Sequence, residues 1–297
     1  MNNKISLVVD GNYLMFQSFY ATYYGNPEGI LRNKAGVPTN GISVFLTQLS
    51  QLIKEFQPDN LFIAFDAKEK TKRHEQYEGY KDGRTKAPSE LFIQFKLIKE
   101  LLTKLNIKHQ EVAGFEADDL IAAYCKNIPG QKYIFSHDRD LMQLINEDVS
   151  VINKVKKGFS AYYDLIDIYN FEDIFGYPYQ HVIDYKALKG DSSDNLPGVK
   201  GIGDKTAIDL IYKFGTFDNI YKNINSDQIT NAVRNKLKNG EATGRMCYDL
   251  TVLNPDIADF NTDTNFYHYH ISFDNAVDMF NELELNKAKK AIKDVAW

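Results

Sequence analysis

The sequence predicts an α/β fold, with a central, mostly parallel twisted sheet flanked by helices and then a helical lobe. Three observations carry that expectation. Three short apolar runs, rich in β-branched and aromatic residues, each end at an aspartate. Helical patterns separate the runs, and strand–helix alternation builds parallel sheets with right-handed crossovers. Further along, a glycine hairpin stands inside a long helical stretch.

The first run, at 5–9, is Ile-Ser-Leu-Val-Val, and Asp10-Gly11-Asn12 ends it. The second, at 61–65, ends at Asp66; the third, at 132–135, ends at Ser136-His137-Asp138. Helical patterns cover 42–56, 91–105 and 117–126, while the glycine- and proline-rich 20–41 reads as a long irregular loop. Lys156-Lys157-Gly158 reads as a turn between two short strands. From 173 to 251 the pattern is helical, 254–265 is polar and turn-rich, and one last helix is expected over 275–292. The expected division is an α/β core at 1–172 and a helical lobe at 173–297.

A chain of 297 residues with 43% hydrophobic and 25% charged residues has the composition of a soluble globular protein. Its net charge of −5 is unusual for a nucleic-acid binder, unless the acids cluster around metal and the bases are grouped elsewhere. Cys125 and Cys247 stand far apart, which argues against zinc and disulfide scaffolds. The first apolar run is too short for a signal peptide, and none reaches membrane-spanning length. An intracellular, cytoplasmic protein is expected.

In open parallel sheets, ligands bind outside the carboxyl ends of the strands. One strand-terminal aspartate reads as a turn or a helix cap. Three at equivalent ends point to a site. Glu116, Asp118 and Asp119 open the helix at 117–126, where the macrodipole favours acids, but three in four residues exceed what capping requires. Asp140 follows Asp138 by two residues, and Asp191 and Asp194 complete a set of nine acids expected at one mouth of the sheet. So many like charges cannot stay ionised together without cations, and all-oxygen ligands favour Mg²⁺ or Mn²⁺, two or more ions. The six histidines show no ligand spacing, and His137 beside Asp138 reads as a packing or supporting residue.

Residues 68–86, KEKTKRHEQYEGYKDGRTK, carry seven positive against four negative charges, with Tyr77 and Tyr80 interleaved. Cations for phosphates and rings for base stacking suit a single strand; a solvated charged linker is the alternative. Residues 189–206, KGDSSDNLPGVKGIGDKT, place the acid pair before a glycine hairpin that feeds a helix at 204–214. Unpaired N–H groups at such a helix start suit a phosphate. Gly201-x-Gly203-x-x-Thr206 is no dinucleotide loop, because no strand precedes it. A purely structural helix–hairpin–helix is the alternative there.

These segments resemble the structure-specific 5′-nucleases, a PIN-like fold found in the nuclease domain of bacterial DNA polymerase I and in flap endonucleases. The matching stretches are LVVDG at 7–11, FDAKEKTKRHEQYEGYKDGR at 65–84, GFEADDL at 114–120, SHDRDL at 136–141 and GDSSDNLPGVKGIGDKTA at 190–207. They stand in the family's order, and the last is highly specific. The chain resembles a stand-alone bacterial-type member, too short to carry a polymerase as well.

The resemblance implies a metal-dependent 5′→3′ exonuclease and 5′-flap endonuclease. It implies a helical arch at about 68–90 and a helix–hairpin–helix at about 185–215. Asp10, Asp66, Glu116, Asp118 and Asp119 look like the acids of a first metal site. Asp138 and Asp140 lie between the sites, and Asp191 with Asp194 resembles a second-metal pair. Lys81 and Arg84 resemble the arch cations near the scissile phosphate, with Arg73 and Tyr80 as further arch contacts. Lys200, Gly201, Gly203, Lys205 and Thr206 resemble the duplex-gripping hairpin, whose carbonyls in relatives can bind a monovalent cation such as K⁺. His137 and Arg139 depart from the usual small residue and lysine around Asp138.

The implied products carry a 5′-phosphate and a 3′-hydroxyl. The implied partner is DNA with a 5′ flap, nick or 5′ end, or an RNA–DNA primer junction, met by a monomer near the nucleoid. Three rivals stand beside this reading: a single-strand ribonuclease of the related PIN-type folds, a non-catalytic junction-binding protein and a small-molecule phosphohydrolase. The hairpin argues against the first, the full set of acids against the second, and arch and hairpin together against the third.

Overall fold

The structure, a computed structural model, describes residues 4–83, 86–157 and 160–296. In chain order they form β1 (Ile5–Asp10), α1 (Gly11–Tyr20), α2 (Asn40–Phe56), β2 (Asn60–Ala64), α3 (Lys72–Gln76), α4 (Ser89–Lys104), β3 (Lys108–Gln110), α5 (Ala117–Asn127) and β4 (Gln131–Phe135). There follow β5 (Val149–Lys157), β6 (Ser160–Ile166), α6 (Phe171–Phe175), α7 (Val182–Lys189), α8 (Asp204–Phe214), α9 (Phe217–Lys222), α10 (Asn231–Thr251), α11 (Val277–Glu282) and α12 (Asn286–Lys293).

The elements group into two units. The first comprises Met1–Ala67, Thr85–His137 and Pro255–Trp297. Its strands lie in the order β3-β2-β1-β4, all parallel, as the strand–helix alternation predicts. Val8 of β1 stands between Phe62 of β2 and Ile134 of β4. Leu7, Val8 and Val9 are fully buried, so both faces of β1 are covered, which is why the strand is written as a continuous apolar run. Phe62 stacks on Tyr124 of α5, and Tyr267 meets both rings edge-on. The segment after residue 254 thus completes the apolar cover of β2.

The last helix is shorter than the expected 275–292. It divides into α11 and α12, because Glu284 takes a left-handed backbone (φ 55°) and the Leu285 N–H reaches back to the Phe280 carbonyl at 2.9 Å. That closure buries Leu283 and Leu285. No glycine or proline marks the break. The irregular loop expected up to residue 41 ends slightly earlier, at the start of α2.

The second unit comprises Lys68–Arg84 and Asp138–Asn254. Strands β5 and β6 form an antiparallel pair, the hairpin anticipated around Lys156, whose Gly158 lies outside the described residues. Helices α6 to α10 follow. Leu188, Val199, Ile202, Ala207, Leu210, Phe217, Ile220 and Leu237 make one core within them. This grouping differs from a linear cut at residue 172. The segment 68–84 and the β5–β6 hairpin group with the helices, whereas 255–297 returns to the first unit. Among the described residues no helix is long and apolar enough to cross a membrane.

Candidate metal and nucleic-acid site

The first unit collects its acids where the strands end. Asp10 closes β1 and caps α1: one oxygen accepts from the Tyr13 N–H at 2.8 Å, the other from the Ser136 hydroxyl at 2.7 Å. Two residues past β2, Asp66 accepts from the Asn12 amide at 2.7 Å and from the Ala117 N–H at 2.8 Å. Asn12 returns the bond, its carbonyl oxygen accepting from the Asp66 N–H at 3.0 Å. One asparagine therefore ties the ends of β1 and β2, and Asp66 sets the start of α5.

Glu116 and Asp119 form a reciprocal capping box across the first turn of α5, the Glu116 N–H donating to Asp119 at 3.1 Å. Capping thus engages two of the three acids there. Asp10, Glu116, Asp118 and Asp119 are all buried. Carboxylates are rarely buried without donors or cations around them, so this density marks more than a helix start. His137 is exposed, and its ring stacks on Tyr13 at a centroid distance of 6.0 Å.

The second unit holds the remaining acids. Asp138 accepts from the Asp140 N–H at 2.8 Å. Asp140 is buried and paired with the Lys186 ammonium, which also stands 2.7 Å from Asp191. Burial opposes charge on Lys186, but Asp140, Asp191 and Asp138 outweigh it and hold its pKa above the ordinary lysine value. Burial raises the Asp191 carboxyl, and Lys186 and Ser193 more than reverse this, taking it down to about 2. Asp191 and Leu196 exchange two backbone hydrogen bonds, of 2.8 and 2.7 Å, which close the acid loop. Gly190 and Gly198 make that closure possible: both have positive φ, and a Cβ on Gly198 would stand 2.3 Å from the Gly190 nitrogen. Asp194, buried in the loop, accepts from the Tyr80 hydroxyl at 3.3 Å.

The nine acids expected at one mouth thus form two sets, one in each unit. Among the described residues no three His, Cys, Asp or Glu side chains converge closely enough to hold a metal. Backbone N–H groups donate to Asp66 and Asp138, and the Lys186 ammonium pairs with Asp140 and Asp191. The donor chemistry still fits hard divalent ions, because every candidate ligand atom is a carboxylate oxygen.

The segment 68–84 differs from its sequence reading in two respects. Arg73 is buried in α3, and its guanidinium donates to the carbonyls of Leu250 at 2.9 Å and Val252 at 3.1 Å. It anchors the segment rather than presenting charge to a strand. Tyr80 is also buried, packed with Leu196, Cys247 and Leu250, so its ring offers no stacking face. Lys81 is half-buried in a left-handed backbone (φ 56°), its N–H donating to the Asp194 carbonyl at 3.1 Å. Arg84 lies outside the described residues.

Helices α7 and α8 flank the expected hairpin. The Ile202 N–H donates to the Val199 carbonyl at 2.9 Å, and both side chains are buried in the helical core. Lys200, Gly201, Gly203 and Lys205 are exposed, and Thr206 is half-buried. Gly201 has φ 85°, and its carbonyl accepts from the Lys236 ammonium at 2.9 Å. Gly203 is extended (φ −106°) with open space where a Cβ would stand, so neither strain nor crowding requires glycine there.

Two family models match: the 5′-3′ exonuclease N-terminal resolvase-like domain over residues 5–173 and the 5′-3′ exonuclease C-terminal SAM fold over 177–271. The chain belongs to the 5′-3′ exonuclease family. A 5′-3′ exonuclease of Bacillus subtilis is 40% identical over 229 residues, 75% of this chain and 75% of that protein. One from Aquifex aeolicus is 39% identical over 226 residues, covering 74% and 73%. DNA polymerase I of Streptococcus pneumoniae is 38% identical over 81% of this chain, which spans only 27% of that polymerase.

Among solved structures, a bacteriophage T5 flap endonuclease in a complex with DNA and metal ions aligns with TM-score 0.65 and 19% identity, over 98% of this chain and 99% of that one. The catalytic core of Rad2 with DNA substrate aligns with TM-score 0.63 and 18% identity, over 99% and 92%. These likenesses establish the fold.

Sequence reasoning missed four residues that shape the site: Asn12, Ser136, Lys186 and Asn195. Asn12 follows the strand-end aspartate by two residues, a position from which an amide can bridge to the next strand. Lys186 stands inside the helical stretch at 173–251 with no local signal that marks it.

Proposed function

We propose that this chain is a metal-dependent 5′→3′ exonuclease and 5′-flap endonuclease that hydrolyses phosphodiesters at DNA junctions during replication and repair. The observation that carries the reading is the joint between Lys81 and the loop of Asp191 and Asp194, where the Lys81 N–H meets the Asp194 carbonyl at 3.1 Å. A candidate phosphate-neutralising cation thereby stands on a turn bonded directly to the loop of a candidate ligand pair.

Asp10, Asp66, Glu116, Asp118 and Asp119 would hold or support one ion and Asp191 with Asp194 a second, with Asp138 and Asp140 between the two and Mg²⁺ or Mn²⁺ as the expected metal. When bound, such ions lower the pKa of water and stabilise the departing oxygen. Asn12, Ser136 and the start of α5 hold the first set in place. Lys81, with Arg84, neutralises charge developing on the phosphoryl oxygens. Lys200, Gly201, Gly203, Lys205 and Thr206 grip the duplex backbone, where a K⁺ ion would stand near hairpin carbonyls. The α/β core at 1–172 holds the first acid set, and the lobe at 173–297 carries the duplex grip together with Asp191 and Asp194, a division that the family-model bounds support.

The proposed partner is DNA with a 5′ flap, nick or 5′ end, or an RNA–DNA primer junction, bound by a monomer in the cytoplasm beside the nucleoid. Digestion of a 5′-flap substrate and a blunt duplex, each with Mg²⁺ or with EDTA, tests this. Flap cleavage that EDTA abolishes and Mg²⁺ restores is expected; undiminished cleavage in EDTA would sink the reading. Lys81→Ala should lower the single-turnover rate roughly a hundredfold while binding changes little. A rate within about twofold of wild type would return 68–86 to a charged linker.

A further inference from the structure

We infer that Asn195 is a positioning residue for Lys81, clamping the turn that carries the lysine onto the acid loop. The Asn195 side-chain amide donates to the Gly79 carbonyl at 2.8 Å, across 116 residues of sequence. One residue before Asn195, the Asp194 carbonyl accepts from the Lys81 N–H at 3.1 Å, and its carboxylate from the Tyr80 hydroxyl. Three consecutive residues, Gly79, Tyr80 and Lys81, are thus each bonded to one of two consecutive residues, Asp194 and Asn195. The inference rests on the proposed role of Lys81.

Both ends of the clamp are built for this contact. Asn195 takes a left-handed backbone (φ 57°). That conformation favours glycine, asparagine and aspartate, and of these three only asparagine offers an amide donor. Asp194 directly precedes it and Asp191 lies four residues before, so an added carboxylate at this position would also repel its neighbours. At the other end, a Cβ on Gly79 would stand 2.8 Å from the Tyr77 ring and 3.2 Å from the Asn195 amide nitrogen. A side chain there would push the two partners apart.

Lys81 is itself left-handed (φ 56°), so its side-chain direction depends on the turn being held in this form. Its ammonium lies 5.0 Å from the centre of the Tyr80 ring. Loss of the Asn195 amide would leave the backbone of the acid loop intact, since the Asp191–Leu196 pair closes it independently. It would loosen Gly79 and, through it, the presentation of Lys81.

The test is Asn195→Gly, which keeps the left-handed backbone and removes only the amide. We expect folding by circular dichroism and Mn²⁺ affinity of the DNA-free protein, read by electron paramagnetic resonance, to stay unchanged. Single-turnover cleavage of a 5′-flap substrate should fall roughly five- to tenfold, the rate equivalent of one lost neutral hydrogen bond. Combined with Lys81→Ala, it should add less than about twofold to the loss from Lys81→Ala alone, because both changes act through one group. Three results would overturn the inference: an unchanged rate, losses that multiply in the double variant, or Mn²⁺ affinity falling with the rate. If Lys81→Ala itself cleaves at the wild-type rate, the reading of Lys81 fails, and the positioning role with it.

Discussion

Replacement of Lys186 by methionine is the sharpest perturbation of the second acid set. The ammonium is almost wholly buried, 7% exposed, and stands 2.7 Å from Asp191 while also pairing with Asp140. At that separation and an effective dielectric of about 20, one unit-charge pair attracts by roughly 6 kcal/mol before desolvation. Removing one partner of a buried pair leaves an uncompensated charge and typically costs about 3–5 kcal/mol. Methionine preserves much of the stem's volume, so little of the loss would come from packing.

In urea unfolding with EDTA, Lys186→Met should therefore be less stable than wild type by about 3 kcal/mol. Under the proposed function a divalent ion would bind the native carboxylates and supply the missing charge, so Mn²⁺ should recover more stability in the variant than in wild type. Equal stability of the two proteins in EDTA would refute the internal-cation reasoning. So would an identical Mn²⁺ increment in both.

Other expectations follow from single residues. The folded-state pKa of Asp191, about 2 against an ordinary 3.8, contributes about 2 kcal/mol that is present above pH ~4 and lost as pH falls through ~2. Asp191→Asn in EDTA should be destabilised by about that amount at pH ~7 and converge with wild type near pH ~2; a constant gap across that range would contradict the assignment. Arg73→Met strands two carbonyls and should cost about 2–4 kcal/mol in denaturant titration, with flap affinity of the folded variant unchanged. Lost affinity at full stability would instead make Arg73 a DNA contact. Gly203→Ala should leave stability within about 0.5 kcal/mol, because the backbone is extended and the space open. Its duplex affinity should weaken and become less salt-dependent, and undiminished binding would remove Gly203 from the phosphate grip.

Local patterns made much of this protein readable. Strands β1 and β2 are buried on both faces and so appear as apolar runs, and Asp10 and Asp66, which end or follow them, belong to the first acid set. The capping acids of α5 and the hairpin before α8 are equally local. What escaped the sequence depends on tertiary neighbours. Arg73 and Tyr80 sit in a basic, aromatic segment that resembles a solvated face, yet Leu250, Val252 and Leu196 bury them. Lys186 has no pattern of its own, because Asp140, 46 residues away, is what makes it a counter-ion. The break between α11 and α12 escaped for a different reason: a glutamate occupies the left-handed position that glycine usually marks.

The return of the last segment to the first unit has a consequence for synthesis. Phe62 in β2 is buried partly by Tyr267 and Phe260, and the Tyr269 N–H bonds to the Asp59 carbonyl at 2.7 Å. Helix α12 packs on α2. A chain emerging from the ribosome therefore makes β2 long before the residues that cover it. The second unit, formed from residues up to 254, can close while the first is still incomplete. Nascent chains arrested at residue 254 should show a protease-resistant helical region beside an accessible first strand layer. Protection of β2 in such chains would mean that the sheet assembles without its final cover. In the interval, a strand surface stays open to chaperones and to other nascent chains, so the speed at which the ribosome reaches the last helices sets how long the exposure lasts.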